Sequence, residues 1–119
     1  MSYDSENIFA KILRGEIPCD KVYENDHVLA FKDINPKAPV HVLIIPKGEY
    51  VSSSDFFATA SDAELGEFMR AVRAVAEKTG VLDSGYRLIA NAGDHGHQEV
   101  PHFHMHLLGG RHIGPMVSR

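Results

Sequence analysis

Cysteine is almost absent: Cys19 stands alone, which excludes an internal disulfide, a redox cysteine pair and any zinc site built from several thiolates. Its expected place is that of a small buried apolar side chain. Long hydrophobic runs are missing as well. None is longer than Val42-Leu43-Ile44-Ile45, too short to cross a membrane. There is no basic surplus either: 12 Lys and Arg against 16 Asp and Glu leave a net charge of −4 without a local basic cluster. Binding to a nucleic-acid backbone is therefore not expected. The start, Met1-Ser-Tyr-Asp-Ser-Glu6, is acidic and has no apolar stretch, unlike a secretory or transit peptide, so a cytoplasmic protein is expected. Repeats, low-complexity tracts and linker-like segments are also lacking.

What remains is ordinary soluble composition, 44% apolar and 24% charged over 119 residues, and one domain spanning 1–119 is expected. A short helix is predicted over 5–14, capped by Ser5 or Asp4, with Ile8, Phe9, Ile12 and Leu13 on one face and Gly15 as its stop. Strands at 21–24 and 27–32 join across Asn25-Asp26 as a hairpin, and the proline-containing segment 33–39 is an ordered loop. A third strand covers 41–45, and the serines at 52–54 are read as surface connection. The long helix, 61–80, has capping-box spacing at Ser61 and Glu64 and a stripe of Leu65, Phe68, Met69, Val72 and Ala76. Strands at 86–91 and 100–108 flank a loop at 93–99. Strands in runs rather than in alternation with helices predict an α+β fold, an antiparallel sheet of about five strands with one long and one short helix.

Five of the eight histidines fall between 95 and 106, and three of them alternate in His102-Phe103-His104-Met105-His106-Leu107-Leu108. On an extended backbone the imidazoles share one side, while Phe103, Met105 and Leu107 anchor the other. Such a row supports nucleophilic and acid–base chemistry at phosphorus, since imidazole titrates near neutrality. It equally suits a zinc ion with an open fourth position, although no acidic second shell is evident nearby in the sequence.

The motif resembles the signature of the histidine-triad superfamily. Further blocks are similar to its Hint branch: Asn7-Ile-Phe-Ala-Lys-Ile-Leu-Arg-Gly-Glu-Ile-Pro18, Leu29-Ala-Phe-Lys-Asp-Ile34, Pro36-Lys-Ala-Pro-Val-His-Val-Leu-Ile-Ile-Pro-Lys47, Tyr86-Arg-Leu-Ile-Ala-Asn91 and Gly109-Gly-Arg111. The resemblance covers a core of 7–111 and leaves 112–119 as a C-terminal tail. It implies a homodimer that hydrolyses purine nucleoside phosphoramidates through a nucleotidyl-histidine intermediate, releasing AMP or GMP and an amine, with no metal and no cofactor. By motif position His104 would be the nucleophile and His106 the residue beside the phosphate. His102 and His41 would form an orienting, proton-sharing pair. Asp33 and Ile34 match a nucleotide contact in which the carboxylate accepts from the ribose hydroxyls. Ile8, Phe9, Ile12, Phe31 and Leu43 match the base pocket, and Asn91 with His97, Gln98, Glu99 and Val100 the sugar–phosphate contacts. His97 and Glu99 depart from the vertebrate pattern of glycine and serine, and the tail lacks the tryptophan of some relatives. Three other readings stay open: a dinucleotide polyphosphate hydrolase, a nucleotide-binding adaptor with little catalytic role, and a metal-binding protein.

Overall fold

The structure is a computed structural model that describes residues 2–117; positions 1, 118 and 119, the last two belonging to the tail, lie outside the described residues. The chain runs α1 (Ile8–Leu13), β1 (Lys21–Glu24), β2 (Val28–Lys32), β3 (Val40–Pro46), α2 (Ser53–Thr59), α3 (Asp62–Lys78), β4 (Tyr86–Ile89) and β5 (Met105–Gly109). All five strands pair antiparallel in the order β1-β2-β3-β5-β4, the α+β arrangement expected.

β3 is the middle strand and is buried along nearly its whole length. Its alternating side chains therefore feed two cores, which is why it reads as a continuous apolar run. Val42 and Ile44, with Val28 and Ala30 of β2, pack towards Phe68, Ala71, Val72, Val75 and Ala76 of α3. Leu43 and Ile45, with Leu29 and Phe31, pack on the opposite face with Phe9 of α1. His41 precedes Leu43 by two residues, and His106 is its register partner, so both belong to the α1 face of the sheet.

Several elements differ from expectation. The cap of α1 is Asn7, whose Oδ1 accepts from the Ala10 amide at 2.9 Å; Asp4 Oδ1 is spent on the Glu6 amide. Residues 53–59 form a helix rather than a connection, because Ser52 and Asp55 build a capping box and Phe56 is buried beneath it. In α3 the capping box of Ser61 and Glu64 is present, but the buried face is Phe68, Ala71, Val72, Val75 and Ala76, and Met69 is 51% exposed. β4 stops at Ile89. β5 starts only at Met105, so His102 and His104 lie in the segment leading into it. Continuing the β3–β5 register would set residue 103 against Pro46, which has no N–H to extend the ladder. The Phe103 amide bonds the Tyr50 carbonyl instead, at 2.7 Å.

Phe103 still anchors the segment. It is fully buried between Phe56 and Phe68, with ring centroids at 5.1 and 5.3 Å. Phe103→Ala should cost about 3–5 kcal/mol in urea unfolding, the usual loss for an aromatic removed from a core. Phe57→Ala, at a position 54% exposed, should cost well under half of that; equal losses from the two would show that Phe103 is not an anchor.

Candidate active site

On the α1 face of the sheet, a cavity of about 390 Å³ opens between α1, the 33–37 loop and the 91–100 loop. That size suits a small organic ligand, roughly 300–1,000 Å³ being usual. Ile8, Phe9, Ile12, Phe31 and Leu43 form its apolar wall, and Asp33, Ile34, Asn91, His97, Glu99 and Val100 surround the mouth. His104 and His106 form one edge of it. Ile34 is 89% exposed, an apolar side chain left free at the entrance.

The protons of the site can be assigned from their partners. Nδ1 of His104 lies 2.8 Å from the His102 carbonyl, which can only accept, so Nδ1 carries the hydrogen and Nε2 keeps the lone pair. No buried side-chain N or O among the described residues lacks a partner, so Nε2, which has none, reaches solvent in the cavity. At His41 the order is reversed. Its Nδ1 accepts from the Lys37 amide at 3.0 Å, which leaves the hydrogen on Nε2, 2.9 Å from His106 Nδ1. His106 must accept there, so its own hydrogen sits on Nε2, beside His104, whose ring centroid is 5.1 Å away.

Three expected placements are corrected by this geometry. His41 pairs with His106 rather than with His102. His102 does not line the cavity at all: it is fully buried, with Nε2 at 2.8 Å from the Pro46 carbonyl and Nδ1 at 2.6 Å from the Tyr3 hydroxyl. Gln98 also lies off the cavity wall. Its side chain ties the loop together, accepting from the Gly93 amide at 3.0 Å and donating to the Val51 and Val100 carbonyls. His97 has a φ of 59°, the left-handed region that glycine adopts without strain. Ile17, Pro18, Cys19, Lys32, Asn35 and Lys37 line the cavity without having been expected to. Nothing in their spacing marks them; they arrive with the turn after α1 and the ends of the 33–37 loop.

A carboxylate does stand near the histidines, contrary to expectation: Asp33 Oδ2 is 3.4 Å from His41 Nε2, while Oδ1 accepts from the Asn35 amide at 2.8 Å. Asp33, His41 and His106 offer ligand atoms within 4.8 Å of one another. They do not suit a metal ion, because His41 Nδ1 is held by a peptide N–H and its Nε2 therefore presents a proton rather than a lone pair.

Burial controls the charge of the whole group. It pushes His102 and His106 down to about 4, with the neighbouring imidazoles adding to the effect, and it lowers His41 and His104 in the same direction. All four are neutral at physiological pH. In the unfolded chain they titrate near 6.5, so between about 4 and 6.5 the unfolded state binds more protons. The stability contributed by the neutral rings is complete above that window and is lost as pH falls through it. Urea midpoints should accordingly drop between about pH 7 and about pH 5, and the drop should shrink in His102→Gln. A slope unchanged by that substitution would contradict the burial account.

The HIT domain family model matches residues 14–113, and the chain belongs to the HIT domain family. It is 50% identical over 113 residues to the purine nucleoside phosphoramidase of Escherichia coli K12, covering 95% of this chain and 94% of that protein. The structure of a HIT family hydrolase from Clostridium thermocellum superposes with a TM-score of 0.87 at 43% identity, covering 97% of this chain and 99% of that one. A histidine triad protein from Clostridium difficile gives 0.84 at 39% identity, covering 98% and 100%.

Proposed function

We propose that the protein is a hydrolase that cleaves the phosphorus–nitrogen bond of purine nucleoside phosphoramidates and releases AMP or GMP with an amine. The observation that carries this reading is the state of His104: a neutral imidazole with Nδ1–H tied to the His102 carbonyl and Nε2 open to the cavity. That is the form in which imidazole is a nucleophile. Its similarity to the phosphoramidase of Escherichia coli supports the choice of bond and substrate.

In this reading the base lies against Ile8, Phe9, Ile12, Phe31 and Leu43, and Asp33 accepts from the ribose hydroxyls with Ile34 closing the entrance. Asn91, His97, Glu99 and Val100 flank the sugar and phosphate. His104 Nε2 bonds to phosphorus as the bond to nitrogen breaks. His106 Nε2–H stands on the same edge and donates a hydrogen bond to the phosphate, while the departing amine takes its proton from solvent; water then attacks phosphorus, breaks its bond to His104 Nε2 and loses a proton to solvent, which returns His104 to its neutral form. His41 and the Lys37 amide fix the orientation of His106, and His102 fixes that of His104. The chain acts as a cytoplasmic homodimer needing neither metal nor cofactor; β4, an edge strand with Tyr86 and Leu88 exposed, supports self-pairing.

His104→Ala should lower release of AMP from an adenosine phosphoramidate by about a thousandfold or more, the scale of losing a covalent nucleophile, while binding of AMP persists. Wild-type rates in this variant would dismiss the assignment. Faster turnover of a diadenosine polyphosphate than of the phosphoramidate would dismiss the choice of bond.

A further inference from the structure

Tyr3 lies outside every expected site, in the segment ahead of α1, yet its hydroxyl makes the shortest contact to any of the four histidines, 2.6 Å from His102 Nδ1. The rings meet edge-on with centroids 5.5 Å apart. The Pro46 carbonyl takes the hydrogen of His102 Nε2, so Nδ1 has only a lone pair to offer and Tyr3 must donate. His102 is thereby gripped from two sides, by the end of β3 and by the N-terminal segment. The segment itself is held where it leads into α1, because the Asp4 carbonyl accepts from Asn7 Nδ2 at 2.8 Å. What His102 offers His104 is its carbonyl, 2.8 Å from Nδ1. Phe9 bridges both rings, with centroids 6.3 Å from His102 and 5.0 Å from His104.

We propose that Tyr3 is a positioning residue for the reaction: by clamping the His102 ring through Nδ1, it holds the His102 carbonyl on Nδ1 of His104 and so keeps Nε2 of His104 available for attack. The inference rests on the nucleophilic role of His104. Without the Tyr3 hydroxyl a fully buried ring nitrogen loses its only donor, and the ring and its peptide are free to seek another.

The test uses the full chain with Tyr3→Phe, which keeps the aromatic ring. Phosphoramidate kcat should fall about tenfold with KM within about twofold, the worth of one neutral hydrogen bond acting on orientation rather than on substrate binding. Nitrogen-15 NMR should show His102 Nδ1 moving downfield as its donor disappears, and the His104 Nδ1 proton exchanging faster with water. A second variant carries 3-fluorotyrosine at position 3, assayed below neutral pH so that its more acidic hydroxyl remains protonated. This stronger donor should move His102 Nδ1 upfield and hold kcat at or above the wild-type value. Wild-type kcat and unchanged His102 and His104 signals in Tyr3→Phe would overturn the proposal, as would a loss of kcat that follows thermal stability alone across both variants. His104→Ala separates the two claims: if it remains active, the nucleophile assignment fails and this inference with it, whereas inactivity of His104→Ala beside wild-type behaviour of Tyr3→Phe removes only the role of Tyr3.

Discussion

A neutral imidazole has one lone pair, and at His104 the nitrogen that keeps it is selected by a peptide carbonyl 2.8 Å from the other. Peptide groups cannot exchange donor and acceptor roles, which makes them more dependable than side chains for this purpose. The same device recurs on the other side of the cavity, where the Lys37 amide sets the tautomer of His41 and, through it, that of His106. Two backbone groups from different parts of the chain thus place a lone pair and a hydrogen side by side. The proposed attack on phosphorus rests on that opposition.

Such an arrangement requires the rings to stay neutral, and burial supplies the condition. Four imidazoles within or behind one cavity wall would repel one another if protonated; desolvation is the first cause of the lowering at each, and that repulsion adds to it at His102 and His106. Burial of a polar ring is destabilising only where a nitrogen is left unpaired. At His102 both nitrogens have partners, and at His41 likewise; the unpaired Nε2 atoms belong to His104 and His106, the two that line the cavity. The exceptions to full hydrogen bonding coincide with the positions where chemistry is expected.

Much of this was legible in the amino-acid order, because two periods carry it. The alternation of histidine with Phe103, Met105 and Leu107 survives even where the strand does not, since Phe103 and Leu107 enter the α3 core while His104 and His106 line the cavity. The apolar run in β3 and the capping box of α3 likewise encode their own positions. What the order of residues hides are contacts made at long range. Tyr3 meets His102 across 99 positions and His41 meets His106 across 65, and no local pattern announces either pairing. Asp33 beside His41 is of the same kind: eight positions apart in the chain, they are brought together by a loop whose path two prolines shape without revealing. The helix at 53–59 was hidden for a different reason, since its serines resemble connection until Asp55 is recognised as the second half of a capping box.

The alternation also ties the stability of the molecule to the precision of the cavity. Phe103 and His104 are consecutive, one buried against α2 and α3 and the other lining the cavity, so the peptide between them belongs to both environments. A core that settles by a few tenths of an ångström on one face would turn the His102 carbonyl away from Nδ1 on the other. Close packing resists that movement because the interior has few voids to settle into. Pro46 acts in the same direction: by lacking an N–H it ends the pairing with β5 before residue 103, and its carbonyl is then free to hold His102 rather than a strand partner. The interruption of regular structure at the triad is consequently what makes the backbone groups available that orient it, and a perfectly continued strand would have consumed them.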